Sequence, residues 1–409
     1  MEARSPGRRL ESAKKLKDLG YQYYLGSMLA GQQGQPVAWI TSGFPVELIY
    51  AMDIFPFYPE NYGTLCGSRK VSGDLCQAAE ARGYSQDLCS YARCTMGSIF
   101  QNAGPLNGLP APDMVLTARN ICHTVIKWWE AVARHYNCPL FVLDTPFVRG
   151  EPTEHQVQYV RGQLTELINF LERHSGREFK MDKYMEVIGR ANRAASLWKE
   201  IQSLRKASPC PLSALDMFTG MFPIVTLRGT QTCADFYQEM RDELAARVAA
   251  GVGVLENDQF RLMWDNIAIW YNFQFYDYIH SRGGVFVAET YTSAWGVYQF
   301  DGSGSGDIFD SVARRYLMAI LNIDLDLRFQ QMAEAIREYR VDGLLLHSNR
   351  SCKTYSLGQL GLARRVQSEL GVPTLLIEAD MTDPRAFAEG PARTRVDAFL
   401  EMLNQRKVT

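Results

Sequence analysis

Residues 111–130 read APDMVLTARNICHTVIKWWE. Met114 to Ala118 is apolar and of strand length, a short polar loop follows, and from about Thr124 the apolar positions recur at helical spacing. Cys122 therefore sits one step beyond the carboxyl end of a strand and just ahead of a helix. In open parallel sheets ligands bind outside that edge, where strand order reverses, and a helix N-terminus favours negative charge. The stretch GLLLHSNRSCK, residues 343–353, repeats the arrangement: a strand, a turn, Cys352, then a helix. Two thiols from two α/β units are thus expected to face one crevice. Cys89, in GYSQDLCSYARC, follows a helix ending near Arg82 and is expected in a loop that reaches the same region.

Outward from these stretches, Val37 to Ser42, Ile54 to Tyr58 and Leu140 to Asp144 are further strand-length apolar runs, with helical patterns at Ser72 to Arg82 and Val125 to Tyr136. This alternation predicts a parallel sheet with crossover helices. Upstream, a stripe of Ala13, Leu16, Leu19, Tyr23 and Ala30 predicts a docking helix that ends at Gly31. Two long amphipathic helices, around QVQYVRGQLTELINFLERH and DKYMEVIGRANRAASLWKEIQSL, form a helical connector. Alternation then resumes: helix at Cys233 to Ala250, strand at Val285 to Thr290, helix at Asp326 to Tyr339, strand at Leu344 to His347, helix at Gln359 to Glu369, strand at Thr374 to Glu378, and a closing helix over 393–407. The expected organisation is an N-terminal helix (1–31), a first α/β domain with Cys89 and Cys122 (32–150), the connector (151–225) and a second α/β domain with Cys352 (226–409). No internal repeat is visible. The stretch DGSGSGD, 301–307, lacks the Lys-Ser/Thr of a phosphate loop and is expected to be a mobile loop.

With 46% apolar and 22% charged residues and a net charge of -2, the chain has an ordinary globular composition and no basic field for nucleic acid. No run approaches the roughly 18 apolar residues of a membrane span, and the N-terminal stretch lacks the apolar core of a secretory signal, so a cytoplasmic protein is expected. Nine cysteines in a reducing compartment point to metal ligands, catalytic thiols or small core residues before disulfides. The spacings of 33 and 230 residues between Cys89, Cys122 and Cys352 match no zinc ribbon or ferredoxin pattern. Spacing alone leaves the metal question open.

The segments FPVELIYAMDIFPFYPEN, GYSQDLCSYAR, APDMVLTARNICHTVIKWWE and LLHSNRSCK, in this order, resemble the motifs of the benzoyl-CoA reductase and 2-hydroxyacyl-CoA dehydratase family. The resemblance implies two flavodoxin-like α/β domains and one [4Fe-4S] cluster held by Cys89, Cys122 and Cys352, with one iron left open. It also implies a paralogous cluster-binding partner subunit, an iron-sulfur ATPase activator or ATPase subunits that deliver electrons, and an acyl-CoA or aryl-CoA substrate. ATP-driven delivery from elsewhere agrees with the lack of a Walker motif in this chain. Cys94, five residues after Cys89, is the alternative ligand. Cys66, Cys76, Cys138, Cys210 and Cys233 have the default reading of small core thiols. His123 and His347 neighbour two of the ligands, but local hydrogen bonding is their ordinary role. Arg350 either meets a substrate phosphate or forms a salt bridge, the latter being the ordinary case. Trp128 and Trp129 read as helix face and core.

Ser42 and Glu60 end the first two strand-like runs and are expected at the crevice beside Cys122. There a hydroxyl can meet a carbonyl oxygen that gains charge and a shielded carboxyl can exchange a proton. The matching motifs of dehydratase α-type subunits carry a serine and a glutamate. The ordinary reading is that both residues cap helices. YPEN and HSNRSCK lean toward dehydratase α-type subunits, whereas RGTQTCADFY, GGVFVAETYT, the SLGQL after Cys352 and IEADMTDPRAF resemble the B-type subunit of benzoyl-CoA reductases, so reduction of an aryl-CoA is expected first, with dehydration of a 2-hydroxyacyl-CoA as the alternative. Two further readings stand beside these: a non-catalytic electron-relay subunit, and a metal-free protein binding a small molecule in its cleft.

Overall fold

Each strand is built on a short apolar run, the pattern that burial on both faces of a parallel sheet favours. In the computed structural model, which describes residues 9–301 and 307–408, the first four are Val37–Ile40 (β1), Phe55–Phe57 (β2), Met114–Ala118 (β3) and Leu140–Leu143 (β4). Phe260–Asp265 (β5), Gly284–Glu289 (β6), Gly343–Asn349 (β7) and Thr374–Ala379 (β8) form a second set. All pairings are parallel, in the orders β2-β1-β3-β4 and β6-β5-β7-β8. Counted from its own first strand, each sheet runs 2-1-3-4, the flavodoxin-like winding. The sequence shows no repeat, yet the topology repeats. Of the glycine-rich stretch expected to be a loop, residues 302–306 lie outside the described residues.

Strand β5 went unseen in the sequence because FRLMWD carries charges at both ends of a short apolar run. Both charges are matched internally: Arg261 donates to the carbonyls of Tyr339, Ala207 and Arg205 and pairs with Asp258, while Asp265 accepts from Thr290 and Gln359.

Among the helices, Leu16–Ala30 (α1) ends where Gly31 predicts, and buries Tyr23 and Tyr24. The Tyr23 ring lies 5.5 Å from Phe55 and 5.6 Å from Phe222. Val46–Ala51 (α2) and Pro59–Ser68 (α3) follow β1 and β2. Ser72–Glu80 (α4) and Ser90–Gln101 (α5) cross so closely that a Cβ on Gly97 would stand 1.9 Å from the Leu75 carbonyl oxygen. His123–Tyr136 (α6) follows β3. Glu154–Ser175 (α7) opens on a capping box of Thr153 and Gln156 and stops at Gly176, whose φ of 67° suits glycine. Met181–Leu204 (α8) completes the helical pair expected as the connector.

The first sheet and one face of the second share a continuous core that contains Trp39, Trp129, Trp198 and Trp264, all fully buried, while Met263, Val285, Val287, Leu344 and Leu346 on the other face of the second sheet pack in a separate core. Polar ties cross between the two halves. Arg93 on α5 bonds Glu80 at 2.6 Å and Asp383, beyond β8, at 2.9 Å, and Ser72 donates to the Thr382 carbonyl at 2.7 Å. Among the described residues no helix is long and apolar enough to cross a membrane.

Candidate metal centre and acyl cavity

Strand order reverses at β1 and β3 in the first sheet and at β5 and β7 in the second, so each sheet has a crevice at the carboxyl ends of those strands. The two crevices meet. Ser42 follows β1, Cys122 follows β3, Ile267 follows β5 and Cys352 follows β7, and all four line one cavity of about 110 Å3. Cys89 and Glu60 complete its polar side; Val125, Trp128, Trp295 and Leu321 are among its apolar walls.

Each cysteine is the residue just before a helix: Cys89 before α5, Cys122 before α6, and Cys352 before the single turn Lys353–Ser356. Their sulfurs consequently meet first-turn backbone N–H groups, of Tyr91 and Ala92, of Thr124 and Val125, and of Tyr355. Burial outweighs these bonds. It pushes the Cys352 thiol up to about 12 and holds Cys122 above its usual value. Cys89 is pushed up by burial first and then by the nearness of Cys122 and Cys352. Burial thus disfavours the thiolate at all three, and a bound metal offsets this because it deprotonates the thiols it binds. Among the described residues no group of three or more His, Cys, Asp or Glu side chains converges on a single metal ion. Three separated thiols around a cavity, with no fourth cysteine in the lining, form a donor set that fits a cubane with one open iron.

The flanking residues fix the spacing of the two halves. The Ser90 N–H donates to Ser351 Oγ at 3.1 Å, and Ser351 Oγ to Ser90 Oγ at 3.3 Å, so the neighbours of Cys89 and Cys352 are bonded to each other. The Tyr91 hydroxyl accepts from Trp270 Nε1 at 2.5 Å.

Ser42 and Glu60 also meet: the Ser42 N–H donates to Glu60 Oε2 at 2.5 Å. Burial raises the Glu60 carboxyl above its usual range, against the hydrogen bonds from the Ser42 backbone and hydroxyl. Neither side chain caps a helix, since α2 and α3 start at Pro45 and Tyr58 without side-chain caps. The β1 and β3 loops approach so tightly that a Cβ on Gly43 would stand 2.6 Å from Asn120 Oδ1.

The remaining candidates fall elsewhere. Cys94 is fully buried, 3.6 Å from Cys76, and does not line the cavity. His123 accepts from Arg119 at 3.2 Å, and His347 Nδ1 is 2.6 Å from the Ile267 carbonyl oxygen, so both are locally engaged. Arg350 is exposed and forms no salt bridge among the described residues. Trp128, read from sequence as helix face and core, also walls the cavity; it follows Val125 as Val125 follows Cys122, one face of α6, and that spacing was the available signal. Tyr291, Trp295 and Tyr298 enter after β6; Tyr291 lies in the GGVFVAETYT stretch, which was read for the branch and not for the site, and no motif marked the other two.

Residues 41–403 match the family described as 2-hydroxyglutaryl-CoA dehydratase, D-component. The chain belongs to that family. Its relatives in this dehydratase family include the (R)-2-hydroxyisocaproyl-CoA dehydratase alpha subunit of Clostridioides difficile, 33% identical over 97% of this chain and 97% of the relative. The (R)-phenyllactyl-CoA dehydratase alpha subunit of Clostridium sporogenes is 29% identical over 96% and 95%. The B-type subunit of benzoyl-CoA reductase from Thauera aromatica is 30% identical over 88% and 87%. All five candidate residues lie within the matched span, and every one of them lines the cavity.

Proposed function

We propose that this chain is the α-type subunit of an oxygen-sensitive, cytoplasmic 2-hydroxyacyl-CoA dehydratase, with one [4Fe-4S] cluster held by Cys89, Cys122 and Cys352. The observation that carries the reading is the meeting of three thiols with Ser42 and Glu60 around one cavity at two facing sheet edges. When bound, such a cluster supplies a single electron at low potential, within a range that reaches roughly -700 mV. The chain's own residues do the rest. The walls exclude water from the thioester, and the Ser42 hydroxyl, on turning away from its bond to Glu60, is the donor for the thioester carbonyl oxygen. Glu60, whose Oε2 is already held by the Ser42 N–H, keeps Oε1 for a proton. Loss of water removes hydroxide from C2 and a proton from C3, and a carboxyl raised by burial can give a proton to the leaving hydroxyl.

A paralogous subunit and an iron-sulfur ATPase belong to the proposal, the first because the relatives are named as single members of multi-subunit enzymes. The sequence motifs lean toward an aryl-CoA reductase, but relatives named as dehydratase alpha subunits span more of the chain than their reductase counterpart does, so dehydration comes first and reduction second. The deciding experiment supplies the anaerobic complex, with ATPase and ATP, with a 2-hydroxyacyl-CoA and with benzoyl-CoA in parallel. Enoyl-CoA formation from the first and none from the second is expected; the converse result would move the chain to the reductase branch.

A further inference from the structure

Among the described residues the cavity is lined by one acid, Glu60, and by no base: there is no Lys, Arg or His. Two buried guanidinium groups stand against rings of the wall; each is paired with a buried acid, though one nitrogen of each has no hydrogen-bond partner among the described residues, and neither group lines the cavity. Arg228 lies 4.4 Å from the Tyr298 ring centre and 5.7 Å from that of Trp295, and bonds Glu47 at 2.7 Å and the Tyr316 hydroxyl at 2.8 Å. Its Nη1 has no hydrogen bond, but Arg228 is buried and is not part of the lining. Arg328 lies 4.8 Å from the Tyr355 ring centre and 3.8 Å from Asp265 Oδ1. The Asn120 amide donates to the carbonyls of Gly43 and Tyr316, each at 3.0 Å, and so presents only its Oδ1 acceptor. Tyr291 and Tyr298 offer hydroxyls without charge.

We infer that the acyl group this cavity accepts is uncharged, a branched aliphatic or aryl side chain, and that thioesters ending in a second carboxylate are excluded. The inference rests on the acyl-CoA reading above and names its substrate class. A carboxylate carried into the apolar end would lose its water, find no cation, and share the cavity with Glu60 and an amide oxygen. A branched or aromatic side chain meets Ile121, Val125, Trp128, Trp295 and Leu321 instead, and loses nothing by leaving water.

The test measures binding to the anaerobic complex of two thioesters that lack the 2-hydroxyl and so cannot turn over: isocaproyl-CoA and glutaryl-CoA. The CoA portion is common, so the ratio of the two Kd values reports the acyl end. Isocaproyl-CoA is expected to bind at least about a hundredfold tighter, the low end for leaving a carboxylate unpaired in an apolar site. Leu321, partly exposed, gives a converse arm: Leu321→Arg places a cation in the lining and is expected to narrow the ratio at least about tenfold. Wild-type affinities within about threefold of each other would overturn the inference while leaving the acyl-CoA reading in place. Binding of neither thioester would instead overturn the acyl-CoA reading and the inference with it. If Leu321→Arg does not fold, the wild-type ratio decides alone.

Discussion

Glu60 reaches the cavity without a cation to neutralise it, held only by the Ser42 N–H and hydroxyl. Burial shifts a carboxyl in that position toward its neutral form, the form that delivers a proton to a leaving hydroxyl. Glu60→Gln keeps the shape and an acceptor for the Ser42 N–H but removes the titratable proton. The expected outcome is an unchanged iron content with turnover lowered about a hundredfold or more, within the roughly 10² to 10⁴ that acid–base groups contribute. Near-normal turnover with the iron intact would make Glu60 structural. The same scale separates the nine cysteines. Cys89, Cys122 and Cys352 each precede a helix and open onto the cavity, whereas Cys94 is sealed in the core against Cys76. The family resemblance picked the three cavity cysteines out of the sequence as the proposed ligands; the strand-end positions of two of them were legible without it.

At the scale of elements, α5 carries Cys89 and is pressed onto α4 at Gly97. Gly97→Ala puts a methyl group into the Leu75 carbonyl, and relief requires the two helices to part. The expected cost is about 1–3 kcal/mol, seen as a lower thermal midpoint, together with weaker iron retention because Cys89 moves with α5. A variant as stable as wild type and fully loaded would show that the crossing does not position Cys89. The sequence made β3 legible to the residue, since MVLTA is apolar but for Thr117 and is bounded by Asp113 and Arg119. It hid α5, whose Cys, Thr, Gly and Ser content has weak helical preference and whose preceding residue is a cysteine, not an ordinary cap. It hid β5 because Arg261 and Asp265 look like surface charges until their buried partners are known. Trp128 and Trp295 were legible as apolar residues but not as cavity walls, because which face of an element meets a cleft depends on how the two sheets are set against each other.

At the scale of the molecule, the three thiols share one cavity because two sheets of the same winding present their carboxyl edges to it, and polar ties cross between the two halves. Arg93, 2% exposed, bridges Glu80 and Asp383 across the junction, and Arg385 pairs with the same two acids. For Glu80 the hydrogen bond from Arg385 leads, and with Arg93 it outweighs burial. For Asp383 burial pulls upward but the bonds from Arg385 and Arg93 prevail. Both carboxyls are therefore held below their unfolded values of about 4. Their stabilisation is complete above that pH and is lost as pH falls through the folded-state values. Arg93→Met is expected to cost about 3 kcal/mol near neutral pH, and the gap between its urea midpoint and that of wild type should close below about pH 4. A gap that stays constant with pH would show that these ion pairs do not hold the halves together. The central claim is that this junction holds a four-iron cluster, and it is tested most directly by iron and acid-labile sulfide analysis of anaerobically purified protein. About four of each per chain is expected, lost or lowered on changing Cys89, Cys122 or Cys352 to Ser and kept on Cys94→Ser; iron-free wild-type protein, or a full cluster surviving in Cys352→Ser, would contradict it.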